Sequence, residues 1–201
     1  MVANGAAINT AATNLSVTSA GNAYISNNGS VTLTGSNITV GSGDTLSLAT
    51  TSGSIAINGN IGSGNSIGSI ILNAANAITE TTGTLTATTV NLTSGTGSIG
   101  ASGAAINTAA TNLSVTSAGN AYISNNGSVT LTGSNITVGS GDILSLATTS
   151  GNIAINGNVG SGNSISSIIL NAAGAITETH WHPHCQHCQS KYWLWQHRRF
   201  W

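Results

Sequence analysis

Apolar residues come in pairs separated by one polar or small residue, and the pairs recur at short intervals: Leu15/Val17, Ala23/Ile25, Val31/Leu33, Ile38/Val40, Leu46/Leu48 and Ile55/Ile57, then Ile70/Leu72 and Val90/Leu92. A period of two is the mark of strands with one buried face. Between the pairs stand Gly21-Asn22, Asn28-Gly29, Gly35-Ser36-Asn37, Gly41-Ser42-Gly43-Asp44 and Gly62-Ser63-Gly64-Asn65, which enter left-handed turn conformations at low cost. No helical periodicity of useful length competes. The chain is predicted to be all-β, with very short strands and small turns.

Which all-β architecture follows from a second pattern. Gly5 to Thr81 and Gly103 to Thr179 match at 72 of 77 positions, an offset of 98 residues. The differences are Thr45/Ile143, Ser54/Asn152, Ile61/Val159, Gly68/Ser166 and Asn76/Gly174, and none replaces an apolar residue at a regular strand position by a polar one. The two copies are therefore expected to share one backbone. A tandem copy this close requires each unit to dock on the next in the same way, which favours a parallel β-solenoid over a sandwich or propeller. At about 20 to 25 residues per coil, one unit supplies four or five coils. Coils stack at about 4.8 Å, so a unit should advance the axis by roughly 20 to 24 Å. The copies should then superpose by a translation and a small rotation. Asn beside the turns is expected to stack into amide ladders. The solenoid is predicted over residues 1–179, as units 5–102 and 103–179. Met1 aligns with Ile99, so the chain reads as a fragment entered in mid-unit, and neither end carries a convincing cap.

Composition changes sharply at residue 179. All five His, both Cys, all four Trp, the only Phe, the only Pro and all three basic residues lie between His180 and Trp201. Before it, the only ionisable side chains apart from Tyr24 and Tyr122 are Asp44, Glu80, Asp142 and Glu178. With so few charges the surface must be Ser, Thr, Asn and Gly, which suits an uncharged fibre better than a compact enzyme. Nucleic-acid binding is excluded, since phosphate affinity comes mainly from Lys and Arg. No apolar run approaches the roughly 18 residues of a membrane span. No signal peptide opens the chain, an absence that is uninformative about secretion in a fragment.

The tail has the appearance of a metal site. Cys185 and Cys188 have C-x-x-C spacing, with His184 and His187, and further off His180 and His182, as additional ligands. The repeat tests this. Back-translated with the first base dropped, 180–201 is compatible with the counterpart of Thr82 to Gly103 at eighteen of 22 positions. The tail thus reads as the same repeat one base out of frame, expected to be poorly ordered, with no metal ligands and no cofactor. It is not expected to extend the column: Trp193, Trp195 and Trp201 are too large for a bore of Ile, Val and Ala, and Arg198 and Arg199 are costly to bury unpaired.

Other constellations read as structure. Gly41-Ser42-Gly43-Asp44-Thr45-Leu46 is close to the calcium-binding nonapeptide, but Asp follows the second Gly directly and the motif occurs once per unit, so it reads as a turn with Asp at its corner. Asp44 and Glu80, the acid and base a glycosidase would need, read as isolated surface carboxylates. The T-x-T pairs Thr32/Thr34 and Thr84/Thr86 are too far apart to sustain an ice-binding ladder. The sequons at Asn14, Asn37 and Asn91 are expected by chance in such a composition.

Leu46-Ser-Leu-Ala-Thr-Thr-Ser-Gly-Ser-Ile-Ala-Ile57, Gly95-Thr-Gly-Ser-Ile-Gly100 and Asn28-Gly-Ser-Val-Thr-Leu33 resemble the repeat region of filamentous-haemagglutinin-type exoproteins of two-partner secretion. The resemblance covers nearly all of residues 1–179. It implies a right-handed β-helical shaft of a bacterial adhesin, passed through an outer-membrane export partner and displayed on the outer cell surface or released outside the cell. Its partner would be a receptor or glycan on a host or neighbouring cell. The function expected is structural and adhesive, with no catalytic residue; the alternatives are a β-helical polysaccharide-degrading enzyme and an ice-binding solenoid.

Overall fold

The computed structural model describes residues 6–35, 38–64, 66–160, 164–178 and 188–190, the side chains of 133–135 and 188–190 excepted. It is all-β, and its parallel strands stack into a solenoid. The first unit carries β1 (Ile8–Thr10), β2 (Asn14–Leu15), β3 (Ala23–Asn27), β4 (Val31–Thr34), β5 (Thr45–Thr50), β6 (Ile55–Asn58), β7 (Ser69–Ala74), β8 (Ile78–Thr82) and β9 (Leu85–Ser94). The second carries β10 (Ile106–Ser117), β11 (Ala121–Asn125), β12 (Val129–Ile136), β13 (Ile143–Thr148), β14 (Ile153–Val159), β15 (Ser167–Asn171) and β16 (Ile176–Glu178), after which comes β17 (Cys188–Ser190).

In the first unit β1, β3, β5, β7 and β9 form one stack, and β2, β4, β6 and β8 a second. Single-residue bridges Ile38 to Ile61 and Ile61 to Leu85 form a narrow third wall. Successive partners lie 23 residues apart from Ala23 to Leu46, 24 from Leu46 to Ile70 and 20 from Ile70 to Val90. The alternating pairs face inward as expected: Leu33, Leu46, Leu48, Ile55, Ile57, Ile70 and Leu72 are fully buried. Each such side chain contributes about 1.5–3 kcal/mol on leaving water, which is what holds a wall of single short strands together.

One inner corner is polar. Thr10, Asn27 and Thr50 stack in register there, with Ser94 on Ser117 further along. The fully buried Asn27 accepts from Thr10 Oγ1 at 2.7 Å and Ala12 N at 2.8 Å, and donates to Ala12 O and Gly29 O at 3.2 and 3.1 Å. Thr50 Oγ1 accepts from Ala75 N at 2.9 Å and donates to Gly53 O at 3.1 Å. Asn27 and its copy Asn125 thus stack with Thr, not with Asn. The expected amide ladder is replaced by a mixed column, because successive coils deliver different residues to this corner.

The junction between units departs from simple translation. Four coils from Ala23 lead through Leu46, Ile70 and Val90 to Leu113, yet the counterpart of Ala23 is Ala121, eight residues further on. Ala121 stacks on Ile99, and Ile99 on Ile78 of β8, so β11 continues the stack of β4, β6 and β8. In exchange Leu131 of β12 stacks on Leu113, continuing the stack of β7 and β9. A unit of 98 residues is therefore not a whole number of coils, and the second is turned about the shaft by part of a coil. This corrects the expectation of a small rotation. Slack is taken up by residues 100–105: Ile99 and Ile106 are covered by Ala121 and Ile123, and between them an exposed loop closes through Ala101 N to Ala104 O and Ala104 N to Ala101 O, both 2.9 Å.

Within each unit the pairings repeat, as Ile25 on Leu48 and Ile123 on Leu146 show. The shared backbone is nonetheless not complete. β4 and β6 stop before Gly35 and Gly59, whereas β12 and β14 run on through the paired Gly133 and Gly157. Two differences between the copies compensate each other. Ser54 Oγ accepts from Ala77 N at 3.3 Å, and its counterpart Asn152 Oδ1 accepts from Ala175 N at 2.7 Å. The longer Asn152 needs glycine above it, because a Cβ on Gly174 would stand 2.2 Å from Asn152 Oδ1, and where the first unit has Ser54 the same place holds Asn76.

The tail also departs from expectation. Cys188–Ser190 does extend the column, pairing parallel to β15 with Cys188 on Ile168 and Ser190 on Leu170. This is the register that Val90 and Leu92 hold on Ile70 and Leu72. The ladder needs backbone groups alone, so a strand can continue it without the repeat's own side chains.

Candidate functional site

Asp44 ends a tight turn. Its N–H donates to Gly41 O at 3.0 Å, and its carbonyl accepts from Gly68 N and Ser69 N at 2.9 and 3.1 Å. Its carboxylate folds back over the turn, so that a Cβ on Gly41 would lie 2.2 Å from Asp44 Oδ2. Asp142 repeats this, with Asp142 N donating to Gly139 O at 3.1 Å. The residue the nonapeptide comparison singled out thus serves as a corner.

Glu80 was expected to be an isolated surface carboxylate, and the structure corrects this. It lies in β8 in register with Ile57, and Ile57 in register with Leu33, so it sits in a column otherwise filled by apolar side chains. It is half-buried and bound across the junction: its carboxylate accepts from Asn107 N at 2.8 Å and also from Asn107 Nδ2. The loop at 100–105 explains the contact. Where the chain leaves the wall, the strand edge at Asn107 has no strand beneath it to supply an acceptor, and Glu80 reaches across to supply one. One carboxylate of the first unit therefore clamps the first strand of the second.

Burial raises the pKa of Glu80 above the ordinary carboxylate range, and the two hydrogen bonds from Asn107 only partly offset this. Between the ordinary value and the raised one the folded chain binds this proton more tightly than the unfolded chain, so this group's contribution to stability falls as pH rises through that window. Below the window both states are protonated and the contribution is constant. Melting temperatures measured across mildly acid pH should accordingly decline toward neutrality more steeply in the parent than in Glu80→Gln. Superimposable profiles would show that the carboxylate is not desolvated.

Thr32 and Thr34 stack on Ala56 and Asn58, and these on Thr79 and Thr82. The outer columns interleave Thr with Ala and Asn, so no uninterrupted threonine face arises here. Of the tail residues with metal-ligand spacing, Cys188 opens β17, and His184, Cys185 and His187 lie outside the described residues. Among the described residues no group of three His, Cys, Asp or Glu is placed to hold a metal ion, and no helix is long and apolar enough to cross a membrane.

Sequence reasoning missed Asn107 as the partner of Glu80, 27 residues away. The pairing depends on coil length and on the loop, neither of which leaves a local signal. It also missed that Asn27 and Asn125 are buried; the one available signal was their place at an inward-facing parity position after Ala23/Ile25 and Ala121/Ile123. The chain matches no protein-family model, no curated protein and no solved structure.

Proposed function

We propose that the chain is a length of adhesive shaft: a structural, non-catalytic repeat module of a secreted bacterial surface exoprotein similar to the filamentous-haemagglutinin type. The observation that carries this reading is the junction. Two units share one parallel ladder and are clamped by Glu80 on Asn107, an arrangement suited to holding a distal site away from a surface. The carboxylates argue the same way: Asp44 and Asp142 form turns and Glu80 is occupied by Asn107. The module would reach the outer cell surface through an outer-membrane export partner and meet a receptor or glycan on a host or neighbouring cell.

The test is to incubate the purified chain with cultured host cells, with bacterial cells and with pectin-like and chitin-like polysaccharides. Binding without turnover is expected, and Asp44→Asn, Glu80→Gln, Asp142→Asn and Glu178→Gln combined should leave binding within about two-fold, a difference too small to reflect loss of a buried contact. Polysaccharide cleavage that disappears in the combined variant would replace the adhesin reading by an enzymatic one.

A further inference from the structure

We propose that Asn28 and Asn126 are sites of spontaneous deamidation, which turns each into aspartate or isoaspartate and so charges the shaft at the same corner of each repeat. Asn-Gly pairs occur in the chain at Asn4, Asn28, Asn58, Asn126 and Asn156, of which Asn4 lies outside the described residues. Glycine after asparagine leaves the peptide nitrogen open to the asparagine side chain, because no Cβ obstructs the approach. Whether the approach occurs depends on what holds that nitrogen. At Asn58 the ladder holds it: Gly59 N donates to Thr82 O at 3.0 Å, and a Cβ on Gly59 would lie 2.1 Å from Gly35 O, so the neighbouring coil leaves no room for a ring. Asn156 and Gly157 both lie inside β14, in register with Thr132 and Gly133. Asn28 and Asn126 instead follow the last residues of β3 and β11, in exposed bends. Among the described residues Gly29 N and Gly127 N donate to no acceptor, and a Cβ on either glycine would meet nothing within 4 Å. The side-chain amide does not distinguish the sites. Thr51 Oγ1 donates to Asn28 Oδ1 at 3.1 Å, Thr149 Oγ1 to Asn126 Oδ1 at 3.0 Å and Thr82 Oγ1 to Asn58 Oδ1 at 3.0 Å. The glycine nitrogen does distinguish them.

The reaction needs water and no other partner. Gly29 N loses its proton and bonds to Asn28 Cγ, and the Cγ–Nδ2 bond breaks, releasing ammonia once Nδ2 has gained a proton. The Thr51 hydroxyl faces the oxygen that carries negative charge in between. The cyclic imide then takes up one water. Attack at Cγ opens it to aspartate, and attack at the main-chain carbonyl carbon opens it to isoaspartate, whose main chain runs through the side-chain methylene. Either product adds a carboxylate to a unit that otherwise holds only Asp44 and Glu80, so modification of Asn28 and Asn126 adds two negative charges to a net charge of -1 and gives -3. Isoaspartate has a second effect. Asn27 and Asn125 precede these sites, and their Nδ2 groups donate to Gly29 O and Gly127 O, both at 3.1 Å. A main chain lengthened between donor and acceptor displaces that carbonyl from the buried polar corner.

The experiment ages the full chain in warm, mildly alkaline buffer, with and without urea. A glutamate-specific protease, cutting after Glu80 and Glu178, separates the two copies, and elastase then isolates the Asn-Gly peptides of each for mass analysis. In the folded chain the Asn28 and Asn126 peptides should each gain about one mass unit and become substrates for a protein-isoaspartate methyltransferase. Asn58 and Asn156 should change about ten-fold or more slowly. In urea, where no ladder remains, the rates at these four sites should converge. Aged protein enriched in isoaspartate at position 126 should lose hydrogen-exchange protection in β10 and β11, the strands that the Asn125 side chain ties together. Equal rates at the four sites in the folded chain, protection of Asn28 and Asn126 until urea is added, or a difference that survives in urea would overturn the proposal, since each shows that the ladder does not select the sites. None of these readouts involves a cell or a glycan, so failure here would leave the adhesin reading standing.

Discussion

Asn125→Leu should cost the middle of the shaft about 3–5 kcal/mol, because leucine shares the branched outline of asparagine but is bulkier and carries none of its polar groups, and the site is closed to water. Asn125 Oδ1 accepts from Thr108 Oγ1 at 2.7 Å and Ala110 N at 2.9 Å, while Nδ2 donates to Ala110 O at 3.2 Å and Gly127 O at 3.1 Å. Leucine can satisfy none of them. Each buried group left without a partner costs about 1–3 kcal/mol, and only part of that is recovered by relaxation. Asn27→Leu breaks the same bonds one repeat earlier, in the first described coil, where β1 has no described strand beneath it. That coil can open alone, so its loss should show mainly as local fraying. Hydrogen exchange should report protection lost on both sides of Asn125 in the one variant and confined to β1 and β3 in the other. If Asn125→Leu changes the denaturant midpoint no more than a surface substitution does, the column is not a structural spine.

The fold was legible to the extent that it rests on alternation. The pairs from Val31/Leu33 to Val90/Leu92 are all in the core, because a wall of single strands buries every second residue and leaves few other patterns possible. Ile61 and Ile99 are as fully buried as those pairs, yet each stands alone among Gly, Asn and Ser at a narrow wall or corner, where a single residue shows no period. The turning of one unit on the next was illegible for another reason. It depends on coil lengths that vary from 17 residues, Ile106 to Ile123, to 24, Leu46 to Ile70. Repeat identity gives the unit length and is silent on how many coils it makes.

The chemistry was less legible than the fold. Asp44 was readable as a turn because its neighbours Gly41 and Gly43 announce one. Glu80 was not, because nothing in Ile78-Thr-Glu-Thr-Thr82 records that the wall opens above it and exposes the N–H of Asn107. The tail shows the limit of side-chain reasoning: the argument from tryptophan size and buried arginine was made for the bore, whereas the ladder asks only for extended backbone at Cys188–Ser190.

Gly83→Ala is the second substitution expected to be severe, and it tests whether backbone approach between coils limits what this repeat can contain. Gly35, Gly59 and Gly83 stack at one corner, following β4, β6 and β8. Gly83 has φ +121°, and a Cβ there would lie 2.1 Å from Gly59 O and 2.5 Å from Gly59 C. Neither atom can move without lifting one coil from the next, since the corner is fixed by Gly59 N donating to Thr82 O at 3.0 Å and Ile61 N to Thr84 O at 3.0 Å. The backbone conformation alone costs an L-residue about 1–3 kcal/mol, and the overlap adds to it, so a loss of about 3 kcal/mol or more is expected. Gly43 provides the contrast, with φ +77° and nothing within 4 Å of the added Cβ. Asparagine tolerates that conformation, so Gly43→Asn should cost well under about 1 kcal/mol. Denaturant melts of the two variants beside the parent decide the matter: a large loss for Gly83→Ala with a near-neutral Gly43→Asn is the expected result. Equal, small effects would mean that the coils are not in the close contact that the corner glycines describe.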